Sequence, residues 1–498
     1  MNKLIKKYQK LNLQAKASLW FLFANIFQKA VMMIFTPVFT RVMSTEEFSK
    51  YAVFQSWEAI FTVFATLNIS SYATAKALVD IKEDKEKFVF SAEILTIILT
   101  FFVFAFYIII HSVYGGFDDL PVPIMISLFC DIVFVAIFNF WSQLERYYLR
   151  YRALVIVSIF IGFFSPVIAF LLIKYSDKIG LYKGWARIIS VVLLNGLIAI
   201  WLFYVSIKKS KFKINVKYWK YCVVYCIPLI PHFLAAAFLQ KASQLFVDHY
   251  SGAVVSGIFS LANSLALMMM VFNDALTKTL VPWTYKKLSE KKYKEINNPI
   301  ILSLAIIGIL DLLMCLVAPE IVNIFADKAY KDAIYAIPPL VGTCFFGFIY
   351  NAYTNVEYYY QETQYVSFAS IIAGVSIVVL ESILVPRFGY MAAAYSTLIS
   401  YCIYAFMHYI FMRKTISKHI PNEHVYNNKV ILKLSVVFII CLLIMPILYK
   451  YTYIRYGSFI VCIILCLCNL DKIKVILGGI FEKKMGNNIK FKEKKYIF

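Results

Sequence analysis

Residues Ala17–Thr40 read ASLWFLFANIFQKAVMMIFTPVFT. An α-helix rises about 1.5 Å per residue, so roughly 20 apolar residues cross a hydrocarbon core of about 30 Å. That length suits a membrane span and not a helix of a soluble core. Runs of the same kind recur at Phe88–His111, Ala153–Ile173 and Val430–Leu448. The 498-residue chain is 61% hydrophobic and 16% charged, with a mean hydropathy of +0.72. A soluble domain carries about 25% charged residues.

Working outward, the pattern predicts fourteen spans, near 17–40, 52–75, 88–112, 122–141, 153–173, 185–207, 221–246, 254–276, 299–325, 333–353, 367–386, 389–411, 430–449 and 456–470. The short connections leave no room for an extramembrane domain. Lys3, Lys6, Lys7, Lys10 and Lys16 precede the first span as in a signal peptide. The apolar stretch is too long for one and no small-residue cleavage site follows, so it reads as a retained first helix. The expected fold class is an all-α polytopic membrane protein.

The charge distribution sets the orientation. With the N-terminus inside, 36 Lys and Arg fall on that side and 10 on the other, with Lys29, Arg187, Lys241 and Lys433 inside spans. Short cytoplasmic loops carry such an excess, so both termini are expected in the cytoplasm. The formal charge of +22 is then a topogenic bias, not a nucleic-acid surface. The ten cysteines all lie in apolar segments, Cys462, Cys466 and Cys468 in the last one, and predict no disulfide framework.

One short repeat organises the chain. Phe27-Gln28-Lys29-Ala30 returns 212 residues later as Leu239-Gln240-Lys241-Ala242, in the first and seventh spans. Six spans per unit would insert both copies the same way up. Two parallel six-helix lobes are a transporter architecture. The expected divisions are 1–210 for the first lobe, 211–413 for the second, and 414–498 for helices 13 and 14 with a basic tail.

Enzyme signatures are absent. No GxxxxGK[ST] loop, HExxH or His/Cys metal spacing occurs, and no cofactor or metal is expected. Asp118-Asp119 in an outer loop has the look of the acid pairs of membrane glycosyltransferases. Its loop, Val113–Pro121, is too short to hold an acceptor and reads as a solvated turn. The informative residues are the ionisable ones inside spans, because a charge at the bilayer centre costs roughly 2.5–3.5 kcal/mol on insertion scales. Lys29 lies about twelve residues into its span, too deep to snorkel easily. Asn25, Lys29 and Thr36 share a helical face, as do Lys241, Gln244 and Asp248. Gln28 and Gln240 flank the two lysines, and Arg187 either snorkels outward or joins them. Asp131, Asp274 and Glu381 are candidates for binding a coupling ion, with Glu93 and Asp311 as further acids. Cations at mid-depth suit an anionic substrate, and the 36 Tyr and 44 Phe offer faces for sugar rings.

Five segments then carry a family resemblance. Pro37-Val38-Phe39-Thr40-Arg41-Val42-Met43-Ser44-Thr45-Glu46-Glu47-Phe48 resembles the end of the first helix in polysaccharide-repeat flippases. These are the O-antigen (Wzx-type) transporters of the multidrug/oligosaccharidyl-lipid/polysaccharide superfamily. Ile227-Pro228-Leu229-Ile230-Pro231-His232 resembles their seventh-helix motif, and Val281-Pro282-Trp283-Thr284-Tyr285-Lys286-Lys287-Leu288 their loop after helix 8. Ala318-Pro319-Glu320-Ile321-Val322 with Ala336-Ile337-Pro338-Pro339-Leu340 is similar to their helix 9–10 region. The stretch from Val385-Pro386-Arg387-Phe388-Gly389 to Tyr395 is similar to their helix 11–12 turn. The sequence departs from the family at Ser243-Gln244, where an Asp-Arg pair is common, at Ser49, and at Glu381, where Asn is common.

The resemblance covers about residues 17–410. It implies a two-lobed, alternating-access exporter in the bacterial inner membrane. The implied substrate is an undecaprenyl-diphosphate-linked oligosaccharide, with the pathway's polymerase and chain-length regulator as partners. A drug or cation exporter of the same superfamily is the alternative, disfavoured by Lys29 and Lys241. A polysaccharide polymerase would need a larger outer loop.

Overall fold

The computed structural model describes residues 13–81, 84–115 and 120–468. Asp118-Asp119, the basic N-terminal stretch up to Lys10 and the tail from Asp471 lie outside the described residues. Within them the regular structure is helical: α1 (Leu13–Val42), α2 (Thr45–Thr66), α3 (Ala73–Asp80), α4 (Lys85–Tyr114), α5 (Val122–Tyr147), α6 (Tyr151–Ser176), α7 (Lys183–Ser210), α8 (Val216–Cys226), α9 (Ile230–Ser251), α10 (Ala253–Ser289), α11 (Lys294–Leu316), α12 (Ala318–Phe325), α13 (Ala333–Tyr359), α14 (Thr363–His419), α15 (Asn428–Leu448) and α16 (Thr452–Cys468).

Local chemistry sets these boundaries and moves some expected ones. The second span was expected over 52–75, yet α2 begins at Thr45. Ser44 forms a capping box there: its hydroxyl accepts from Glu47 N at 3.1 Å, and its own N–H donates to Glu47 Oε2 at 2.8 Å. The helix stops where Leu67 and Asn68 turn left-handed, with φ of 48° and 51°. The ninth expected span divides into α11 and α12 at Val317, just before Pro319, whose ring lacks the N–H a continuous helix needs. Pro228 and Pro231 likewise separate α8 and α9 by one 3-10 turn.

Among the described residues, eleven helices are long and apolar enough to cross a membrane. One of them, α14, has 57 residues, about 85 Å if straight, far beyond a bilayer core. Gly389, with φ 64° and ψ −154°, is non-helical and reverses it. The Tyr365 and Phe411 rings stack 5.0 Å apart, and Lys418 Nζ donates to Glu362 Oε1 at 2.6 Å, so the two arms run back beside each other. The expected spans 367–386 and 389–411 are these arms. With α2 and the shorter α16, the helices agree with fourteen crossings.

The chain divides into two compact units. The first comprises Met1–Leu265, Pro319–Ile337 and Ser367–Ile403; the second comprises Ala266–Ala318, Pro338–Val366 and Tyr404–Phe498. In the first, α2, α4, α5 and α7 bury Val53, Phe54, Leu128 and Ile188 among themselves. Thr40 Oγ1 and Arg41 tie the end of α1 to the carbonyls of Phe325 and Ile324 at 2.6 and 2.9 Å. Against α9, α14 approaches so closely that a Cβ on Gly374 would lie 2.6 Å from Ala235 Cα. In the second unit, Phe345 of α13 stacks on Phe438 of α15 at 4.1 Å, and Tyr449 OH and Arg455 donate to the α11 carbonyls of Cys315 and Leu316.

Candidate functional site: a charged constellation inside the first unit

On α2, Tyr51, Gln55 and Glu58 stand at i, i+4 and i+7 and so share one face. Gln55 Nε2 donates to Tyr51 OH at 3.2 Å. Across from them, Asn195 Nδ2 of α7 donates to Asp131 Oδ1 of α5 at 2.8 Å, and Asp131 is only 2% exposed. Lys241, half-buried on α9, is within electrostatic reach of Glu58, which in turn lies within reach of Asp131. Four helices thus bring a lysine and two carboxylates together at membrane depth. Glu58 is the acid within electrostatic reach of Lys241, and it was not among the acids singled out from the sequence.

Arg187 completes the set from the start of α7. It does not snorkel. It is 6% exposed, and its guanidinium sits 4.2 Å from the Tyr51 ring, 4.4 Å from Phe39 and 5.0 Å from Phe48. Ring faces attract a cation by about 0.5–2 kcal/mol each, more where water is excluded. Tyr51 interacts electrostatically with this guanidinium and with both acids. The group brings two basic side chains, Lys241 and Arg187, together with two acidic ones, Glu58 and Asp131.

The other expected residues are placed as follows. Asn25 and Lys29 lie on the exposed face of α1. Gln28 turns the other way and donates from Nε2 to Ser158 O at 2.7 Å, fastening α1 to α6. Gln240 is exposed. Gln244 is buried and joins α9 to α10: its Nε2 donates to Ser256 Oγ at 2.6 Å, and its Oε1 accepts from Ser260 at 2.9 Å. Asp274 is exposed on α10 in the second unit. Glu381, fully buried, accepts a short hydrogen bond from Ser243 Oγ, which is also 2.8 Å from Thr397 Oγ1. Ser243, Glu381 and Thr397 form a compact oxygen-rich group drawn from α9 and both arms of α14. Among the described residues no group of three or more His, Cys, Asp or Glu could hold a metal ion.

A second buried pair escaped the sequence reading. In the second unit His408 Nδ1 lies 3.0 Å from both carboxylate oxygens of Glu357, and both residues are 0% exposed. Glu357 lies beyond the expected span 333–353, whereas α13 continues to Tyr359. The usable signal was its spacing of seven from Tyr350, whose ring stacks 5.8 Å from His408.

Similarities to known proteins follow this geometry. Among solved structures, the lipid II flippase MurJ in an inward-closed conformation is 17% identical with a TM-score of 0.64, covering 91% of this chain and 99% of that one. An inward-facing multidrug resistance MATE family transporter of the MOP superfamily is 14% identical with a TM-score of 0.57, covering 80% and 96%. A MOP superfamily transporter from Pyrococcus furiosus Vc1, described as having a binding pocket of reversed polarity, is 14% identical with a TM-score of 0.53, covering 82% and 97%. The fold is that of the multi-pass transporters of the multidrug/oligosaccharidyl-lipid/polysaccharide (MOP) superfamily.

The chain belongs to the polysaccharide biosynthesis protein family, whose profile matches residues 15–288. The resemblance found in the sequence therefore holds for family and fold. Two relatives from Haemophilus influenzae also match: an uncharacterized membrane protein, 25% identical over 138 residues (27% of this chain), and Lsg locus putative protein 1, 23% identical over 197 residues (38% of this chain). The chain spans 34% and 48% of the lengths of these two relatives.

Proposed function

We propose that this protein is a flippase for undecaprenyl-diphosphate-linked oligosaccharide repeat units, carrying them from the inner to the outer leaflet of a bacterial plasma membrane. The observation that carries this reading is the constellation of Lys241, Arg187, Glu58 and Asp131 at membrane depth, in a chain of the polysaccharide biosynthesis family. A diphosphate cannot cross hydrocarbon unpaired, because stripping its charges of water costs many kcal/mol. An ammonium offers three donors and a point charge. With Glu58 and Asp131 beside it, Lys241 can meet the diphosphate and then return to its acid partners, so the substrate is attracted without being clamped. Lys29, Asn25 and Gln240, all exposed, supply further polar contacts along the path.

Alternating access between two six-helix lobes, 1–210 and 211–413, belongs to the same proposal, as do cytoplasmic termini. The Ser243–Glu381–Thr397 group is assigned to the coupling ion, with Asp131 and Asp274 as further candidates. The pathway's polymerase and chain-length regulator are the expected protein partners.

One observation favours a second reading, a drug or cation exporter: Glu58 and Asp131 together attract cations. A deletion strain separates the two. A flippase mutant loses surface polysaccharide and accumulates lipid-linked repeat units on the inner leaflet, with unchanged drug sensitivity. An exporter mutant gains drug sensitivity and keeps its polysaccharide, which would contradict the proposal.

A further inference from the structure

At the end of the second arm of α14, a groove of about 630 Å³ is lined by Tyr365, Tyr409, Arg413, Lys414, Ser417 and Lys418. The Lys/Arg asymmetry puts this end at the inner membrane face. Lys418 is already engaged, since its Nζ and His419 Nε2 both contact Glu362 Oε1, at 2.6 and 2.9 Å. Arg413 and Lys414 differ. Among the described residues neither has a carboxylate in ion-pair range, and both are exposed. Their contacts are aromatic: Arg413 Nη1 donates to Tyr409 OH at 3.3 Å, and Lys414 Nζ lies 5.7 Å from the Phe411 ring.

Beside these cations stands an apolar wall. The Tyr365 and Phe411 rings stack in parallel, with an interplanar angle of 1°. Phe406, Ile410 and Arg413 follow one another at i, i+4 and i+7, so the face that ends in Arg413 continues through Phe406, 56% exposed, toward the hydrocarbon. A free anion would leave the wall uncovered. A neutral lipid would leave both cations without a counter-charge. A molecule with a phosphodiester head and acyl chains satisfies both, and basic pockets on the cytoplasmic side of helical bundles suit such heads.

We propose that this groove binds the phosphodiester headgroup of an anionic phospholipid of the inner leaflet, held by Arg413 and Lys414 and steadied by the hydroxyls of Ser417 and Tyr365. The site is separate from the charged constellation of the first unit and independent of what the protein transports.

The test is native mass spectrometry of the full-length protein in detergent, with phosphatidylglycerol and phosphatidylcholine added in equal amounts. Phosphatidylglycerol is retained preferentially. The Arg413→Gln, Lys414→Gln double variant loses that retention by about tenfold while its melting temperature in lipid-free detergent stays unchanged. Lys414→Gln alone loses less, and Arg413→Lys keeps most of the binding. Equal retention of the two lipids, or unchanged phosphatidylglycerol binding by Lys414→Gln and by the double variant, would overturn the proposal. So would displacement of phosphatidylglycerol by an equal concentration of inorganic phosphate, which would make the groove a site for a soluble anion.

Discussion

Lys241 stands out in the sequence because a lone cation in an apolar run is costly. Its partner does not. Glu58 lies seven residues from Tyr51, within a stretch whose polar residues look scattered until they are placed on one face of α2. Only the packing of α9 on α2 shows which acid Lys241 meets. The pairing has a direct consequence. Lys241→Ala leaves Glu58 beside Asp131 without the lysine, so surface polysaccharide falls at least tenfold. Exchanging the two charges, Lys241→Glu with Glu58→Lys, restores several-fold more activity than either single reversal. Complementation of the deletion strain, with membrane protein level measured alongside, reads this out. Equal failure of the exchange and of both single reversals would mean that the two residues act separately. Arg187 teaches a related lesson: its depth near a helix start left snorkelling open, and three rings from α1 and α2 decide the matter.

Helices were easier to read than their ends. Apolar runs of bilayer length mark the spans, and Pro386 to Gly389 marks the reversal in α14. The start of α2 was misplaced because a capping box at Ser44 outweighs the hydropathy change, and the end of α13 because its last turns carry Asn355 and Glu357. The N-terminal end of α14 offers a test of how its two arms hold together. Hydrogen bonds from Lys418 and His419 hold the buried Glu362 carboxyl down at about 2, against an ordinary value of 4.5. A depressed carboxylate contributes stability above its unfolded value and loses it as pH falls toward the folded one. Glu362→Gln is therefore expected to melt below wild type at pH 7, with the gap closing as pH falls from about 4.5 toward 2. The gap is modest because the Lys418 ammonium is exposed and solvent screens it. Melting in detergent across pH 7 to 3 measures it, and a gap constant over that range would remove these bonds from the stability of α14.

At the scale of the whole molecule, charge alone gives an expected orientation, while the grouping of residues around Lys241 was not legible, since α2, α5, α7 and α9 are far apart in sequence. The orientation predicts that position 211 faces the cytoplasm and position 178 the outside, both being exposed. Single cysteines in a cysteine-free background, probed with an impermeant thiol reagent on intact spheroplasts, should label at 178 and not at 211; the reverse pattern would invert the protein. The most direct measurement of the proposed activity uses purified protein in liposomes carrying polyprenyl-diphosphate-linked oligosaccharide. An impermeant glycosidase outside reports the sugar exposed on the outer leaflet over time. Wild-type protein is predicted to expose nearly all of the sugar, whereas the Lys29→Ala, Lys241→Ala double variant leaves the inner half protected, as in protein-free liposomes. Protection of the inner half by wild-type protein, or full exposure by the double variant, would contradict flipping through this charged path.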